Sequence, residues 1–94
     1  MFNIADSAAL LDAMSNPTRL TILRLLSKGE VRVGELNEAI GMTQSALSQH
    51  LSKLRSRNLV QTRRDAQSIY YRCESAAVLA MLATLHELFA FPAL

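Results

Sequence analysis

Between Thr43 and Ser56 the chain offers small hydrogen-bonding side chains at helical spacing. At about 100° per residue, Ser45, Ser48, Gln49, Ser52 and Ser56 fall on one side, and Leu47, Leu51 and Leu54 on the other. A solvated helix face ordinarily carries Glu/Lys pairs; this one is small, polar and uncharged. Hydroxyls and carboxamides both donate and accept, which is the chemistry that reads base edges in a major groove, and short side chains let a helix sit deep there. Lys53, Arg55 and Arg57 flank the face, and no acidic residue occurs from 44 to 64, so the surroundings suit backbone phosphates. Thr43 and Gln44 stand where the helix begins, within reach of an anion at its amides, although capping is the first role of Thr43. His50 lies at the flank of the leucine stripe, a place that favours packing or a hydrogen bond, and is kept among the candidates. Each serine taken alone is an ordinary surface residue; the joint pattern points to nucleic acid.

Such a helix needs neighbours to hold it. From Asp6 to Met14, Ala8, Leu10, Leu11 and Met14 recur at helical spacing. Asn16-Pro17 starts a second helix, with Asn as the cap and Pro at the first helical position. It carries Leu20, Ile22, Leu23 and Leu26 and stops at Lys28-Gly29. Residues 31–33 are extended and very short. A third helix over 34–40 places Leu36 and Ile40 one turn apart and ends at Gly41, and Thr43 caps the fourth, which runs to about Arg57. Residues 60–64 and 68–73 read as strands joined by Asp65-Ala66-Gln67. Tyr70 and Tyr71 then point to opposite faces, one into the core and the other half exposed. A last helix covers 75–89, and Pro92 bars its simple extension. The order α-α-(short β)-α-α-β-β-α predicts a mainly helical chain with a small β-hairpin, a winged helix-turn-helix. It forms one domain over 1–94, with the helix-turn-helix at 34–57 and the wing at 60–73.

Charge agrees with that layout. The net charge of the 94 residues is only +2, but residues 44–72 alone carry +5, between an N-terminal part at −1 and a C-terminal part at −2. A basic middle between neutral or acidic ends is an electrostatic footprint for a polyanion. Arg63, Arg64 and Gln67 sit on the hairpin, where arginine suits a narrow minor groove; Arg72 reads better as an outward charge. The hairpin tip has no glycine.

The last helix is apolar nearly all round: Val78, Leu82, Leu85 and Phe89 form one stripe, widened by Leu79, Met81 and Leu88. A helix apolar on all sides is buried on all sides, and a domain this small cannot cover it alone. A second copy is the expected cover, with 6–14 and 75–89 as dimerisation helices and Leu10, Leu11, Met14, Val78, Leu79, Leu82, Leu85 and Phe89 at the interface. A membrane-surface helix would need basic residues, and this one has none; the apolar stretch from Ala76 breaks at His86 and Glu87, too short to span a bilayer. The N-terminus, with Asp6 and Asp12, lacks the basic region of a signal peptide.

Enzyme chemistry finds no support: carboxylates are scattered singly, and there is no glycine-rich phosphate loop and no nucleophile with a base. One cysteine rules out an intramolecular disulfide framework and a zinc ribbon and fits a reducing, cytoplasmic setting. No cofactor is expected. Two competing readings stay open: a repressor that responds to oxidation of the single thiol Cys73, and a winged-helix protein-interaction module that has lost DNA binding.

Asn16-Pro17-Thr18-Arg19-Leu20, Val33-Gly34-Glu35-Leu36, Gln44-Ser45-Ala46-Leu47-Ser48-Gln49-His50-Leu51 and Ile69-Tyr70-Tyr71 together resemble the ArsR/SmtB family of bacterial winged-helix repressors, from about residue 7 to residue 89. Along 44–71 the chain is most similar to the nodulation regulators of that family. The resemblance implies a homodimer, paired through its first and last helices, that binds a pseudo-palindromic double-stranded DNA operator and represses transcription. Arg32 departs from the family, which has a small capping residue there. The resemblance also implies where a metal sensor would sit. At one family site the thiolate positions hold Arg32 and Gly34; at the other, the ligand positions hold Ser75, Ala77, Leu88 and Phe91. No metal site is therefore expected, and the effector is unknown.

Overall fold

The computed structural model describes residues 2–90 and shows α1 (Ile4–Met14), α2 (Pro17–Ser27), β1 (Val31–Arg32), α3 (Val33–Ile40), α4 (Gln44–Ser56), β2 (Gln61–Asp65), β3 (Ser68–Arg72) and α5 (Ala76–Phe89). The element order is the expected one, a helix-turn-helix followed by a wing. Phe91 and Pro92 lie outside the described residues.

Local capping chemistry sets most boundaries. The Asn16 side chain accepts from the Arg19 amide at 3.0 Å with Pro17 behind it, and the Thr43 hydroxyl accepts from the Ala46 amide at 3.2 Å. Gly41 closes α3 in the left-handed region, φ 76°, and so turns the chain into α4. Several boundaries differ from expectation: β3 stops at Arg72, leaving Cys73 just outside the strand, and α5 begins at Ala76, with the Ser75 hydroxyl capping it. α1 begins at Ile4, two residues before Asp6, because the Asn3 side chain accepts from the Asp6 amide at 2.9 Å. α3 begins at Val33, with Arg32 at its cap position and no side-chain cap bond. β2 is shifted one residue, to 61–65, leaving Ala66-Gln67 as the turn, with Ala66 at φ 56°.

β1, β3 and β2 form a three-stranded antiparallel sheet in that order, with Arg32 opposite Tyr70, Tyr70 opposite Arg63, Tyr71 opposite Thr62 and Ile69 opposite Arg64. Alternation splits the sheet. One face carries Val31, Tyr71 and Ile69 and packs on the helices; the other carries Arg32, Tyr70 and Arg63. Tyr71 is buried and Tyr70 half-buried, as the sequence implies.

α2 lies at the centre of the core, with Ile22, Leu23 and Leu26 buried against Leu36 of α3, Leu47, Leu51 and Leu54 of α4, Tyr71 and Cys73 of the sheet, and Val78 of α5. Burial of each such side chain contributes about 1.5–3 kcal/mol. Two residues expected at a subunit interface are in this core: Met14 is 4% exposed and Val78 fully buried. A helix apolar on all sides does not reveal from its spacing which side meets its own chain. Among the described residues, no helix is long and apolar enough to cross a membrane.

Candidate nucleic-acid interface

The recognition-helix face follows from how α4 is seated. With Leu47, Leu51 and Leu54 turned into the core, Gln44, Ser45, Ser48, Gln49, Ser52 and Ser56 are all exposed. Thr43 is occupied as the cap. Gln44 faces Gln67 of the hairpin tip across a cleft that Arg32 and Asn37 also line.

The flanking cations are less available than their number suggests. The Lys53 ammonium meets the Asp12 carboxylate of α1 at 2.9 Å, and this hydrogen bond and charge hold Asp12 below the usual carboxylate range. His50 is half-buried on the α2 side of α4, where the Arg19 guanidinium lies 3.3 Å from its Nδ1. A guanidinium can only donate, so Nδ1 is the accepting nitrogen. Arg19 also donates to the carbonyl oxygens of Ala13 at 2.7 Å and Asp12 at 3.2 Å, tying the end of α1 to α4. Arg55 donates to the Tyr71 hydroxyl and lies over that ring, 6.0 Å from its centroid. Arg57, at the C-terminal cap of α4, is exposed.

The wing divides its arginines. Arg63 lies on the outer sheet face, and its Nε and Nη2 donate to the Glu30 carboxylate at 2.7–2.9 Å, while its guanidinium stacks 4.2 Å from the Tyr70 ring centroid. The bidentate bond pushes Glu30 down and Arg63 up from their ordinary pKa values. Arg64, paired across the ladder with Ile69, stands on the helix side of the hairpin and makes no ion pair among the described residues. Arg72 pairs with Glu74 at 2.8 Å, in keeping with its reading as an outward charge. The sequence did not single out Glu30 or Asp12, because nothing local marks a carboxylate whose partner lies 33 or more residues away. Cys73 is buried, and burial raises its thiol pKa, which keeps it protonated and poorly nucleophilic.

Six large apolar side chains are left exposed by 41–74%: Phe2, Ile4 and Leu11 at and within α1, and Leu79, Leu88 and Phe89 on α5. Leu10, Leu82 and Leu85 are half-buried. Phe2 and Ile4 were not expected, since they precede the helix start read from the sequence.

Residues 16–62 match the family model for bacterial regulatory proteins of the arsR family. The chain is 57% identical over 83 residues to the nodulation protein NolR of Rhizobium meliloti, covering 88% of this chain and 68% of that protein. It is 47% identical over 87 residues to the transcriptional activator HlyU of Vibrio cholerae, covering 93% and 81%. The crystal structure of the transcriptional repressor BigR from Xylella fastidiosa superposes with a TM-score of 0.88 at 38% identity, covering 94% of this chain and 90% of that one. These matches are to regulators, not enzymes.

Proposed function

Because this chain belongs to the arsR family of bacterial regulatory proteins, we propose that it acts in the cytoplasm as a homodimeric repressor, binding a pseudo-palindromic DNA operator through α4 and the wing. The observation that carries this reading is the exposed, uncharged face of Ser45, Ser48, Gln49 and Ser52, with Arg57 at the end of the same helix and Arg64 on the helix side of the hairpin making no ion pair among the described residues. In this reading Gln49 and Ser48, exposed on α4, read base edges. Gln44, Ser45 and Ser52 extend that contact, and Arg55, Arg64 and Gln67 meet the backbone or minor groove. Thr43 and His50 serve the site from within, as cap and packed partner, and Lys53 reaches phosphate only by leaving Asp12.

Dimerisation is supported by the six large apolar side chains left exposed on and beside α1 and α5, since exposed apolar surface marks an interface. Repression follows from occupancy of an operator that overlaps a promoter; the relatives include both an activator and a repressor. DNA binding is proposed to be independent of metals, on the ground that Arg32, Gly34, Ser75, Ala77 and Leu88 replace the family's ligands. Burial of Cys73 weighs against a thiol switch.

Selection from a random duplex library, followed by anisotropy titration at two salt concentrations, tests the reading. Two-fold sites with half-sites roughly 10–20 bp apart are expected. Equal affinity for selected and random duplex would overturn sequence-specific binding.

A further inference from the structure

We propose that Glu30 is a positioning residue for DNA binding: through Arg63 it fixes the hairpin so that Arg64 is presented on the recognition-helix side. The inference rests on the DNA-binding reading above. It makes an acidic side chain support affinity for a polyanion.

The geometry is that of a clamp. Three N–H···O contacts of 2.7–2.9 Å join the Arg63 guanidinium to the Glu30 carboxylate, and the face of the same guanidinium lies on Tyr70. One edge of the fork and one face are therefore occupied, a bidentate and stacked arrangement that lysine cannot reproduce. Exposed ion pairs are generally weak, but ideal bidentate geometry is the exception.

The three residues come from three segments. Glu30 immediately precedes β1, Tyr70 belongs to β3 and Arg63 to β2. β1 pairs with β3 at only two positions, Val31 with Tyr71 and Arg32 with Tyr70, and makes no ladder with β2. The clamp spans the sheet from the corner after α2 to the far strand of the wing, so the hairpin is tied to the helical body on its outer face. On its inner face the tie is Arg55 of α4 on the Tyr71 hydroxyl. Neighbours along a strand point to opposite faces; with Arg63 pinned outward, Arg64 is aimed to the side where α4 lies.

Through-space electrostatics and the clamp give opposite signs, and this makes the inference testable. Loss of a negative charge near DNA strengthens binding if charge alone matters; loss of the clamp weakens it. Anisotropy titrations of the full chain with the selected duplex should show Glu30→Gln and Arg63→Lys each weakening binding about three- to tenfold, while Glu30→Gln adds nothing in an Arg64→Ala background. Circular dichroism melts should show both single variants fully folded at the titration temperature, with the melting temperature lowered only slightly by loss of the pair. Arg63→Lys keeps the charge and serves as the second probe of the clamp. Equal or tighter binding by both variants would overturn the inference, as would a Glu30→Gln effect that persists without Arg64. So would a loss in Arg63→Ala accompanied by a salt slope shallower by about one, which would place Arg63 itself on phosphate. If the parent chain binds no duplex even at low salt, the DNA-binding reading itself fails, an outcome distinct from a parent that binds and variants that match it.

Discussion

Substitution of Leu11 by Ser separates association from folding. Leu11 is 52% exposed in the single chain, whereas Met14, one turn later on the same helix, is 4% exposed and belongs to the core. Full burial of a leucine side chain contributes about 1.5–3 kcal/mol, so covering the exposed half of Leu11 contributes about 0.8–1.5 kcal/mol. In a two-fold interface the substitution occurs twice, giving a loss of about 1.5–3 kcal/mol per dimer. At 1.4 kcal/mol per decade, the dimer dissociation constant should rise by roughly ten- to a hundredfold. Intrachain packing around Leu11 is incomplete, so the unfolding free energy of the monomer should change by less than about 1 kcal/mol; Met14→Ser, in contrast, should cost about 2–5 kcal/mol. Sedimentation velocity across a concentration series reads the first quantity, and urea unfolding at concentrations where the protein is monomeric reads the second. Operator affinity should fall in step with dimerisation, because two half-sites are bound together. A Leu11→Ser protein with an unchanged monomer–dimer midpoint would refute α1 as an interface helix; one that unfolds as readily as Met14→Ser would refute the division between exposed and core faces.

Gln49→Ala should cost about 1–3 kcal/mol on the selected duplex and far less on random duplex; equal losses on both would move Gln49 from bases to backbone. Ala66→Gly should stabilise the chain by about 0.5–1 kcal/mol in urea unfolding, because relief of a left-handed alanine at φ 56° outweighs the added chain entropy of glycine. Asp12 and Glu30 have folded pKa values below the ordinary 3.8 and 4.5, so the stability they contribute is present above those values and lost as pH falls through the depressed ones. Melting temperature should therefore drop below about pH 4, and the drop should be smaller in Asp12→Asn with Glu30→Gln. Zn(II) or As(III) at stoichiometric amounts should leave the operator complex intact by anisotropy, and metal-driven release would refute the metal-independent reading.

What was legible in the sequence was mostly local. Asn16-Pro17, Gly41 and Thr43 act within one turn of themselves, and the leucines of α4 and the serines opposite them follow one helical period. The two extra residues at the start of α1 lie ahead of Asp6 because Asn3 caps the helix; Ile4 continues the period of Ala8 and Leu11, a signal the sequence carries ahead of Asp6. Arg63 and Lys53 read as free cations and His50 as packed or hydrogen-bonded, but their partners Glu30, Asp12 and Arg19 lie 31 to 41 residues away, beyond any spacing rule. Met14 and Val78 show a different limit, since an apolar residue satisfies its own core and a partner's surface equally well on paper.

The same pairings change what the basic middle of the chain means. Three arginines on or beside the outer sheet face each meet a carboxylate: Arg32 with Glu35 at 3.5 Å, Arg63 with Glu30 at 2.7 Å and Arg72 with Glu74 at 2.8 Å. A paired charge acts at a distance as a dipole, and its field decays well within a Debye length. Within residues 44–72, the cations that meet no carboxylate among the described residues are Arg57 at the C-terminal cap of α4, Arg64 on the helix side of the hairpin, and Arg55, held by the Tyr71 hydroxyl. On the proposed DNA-binding reading, these arginines, more than the arginine count, would orient a duplex toward the serine face of α4.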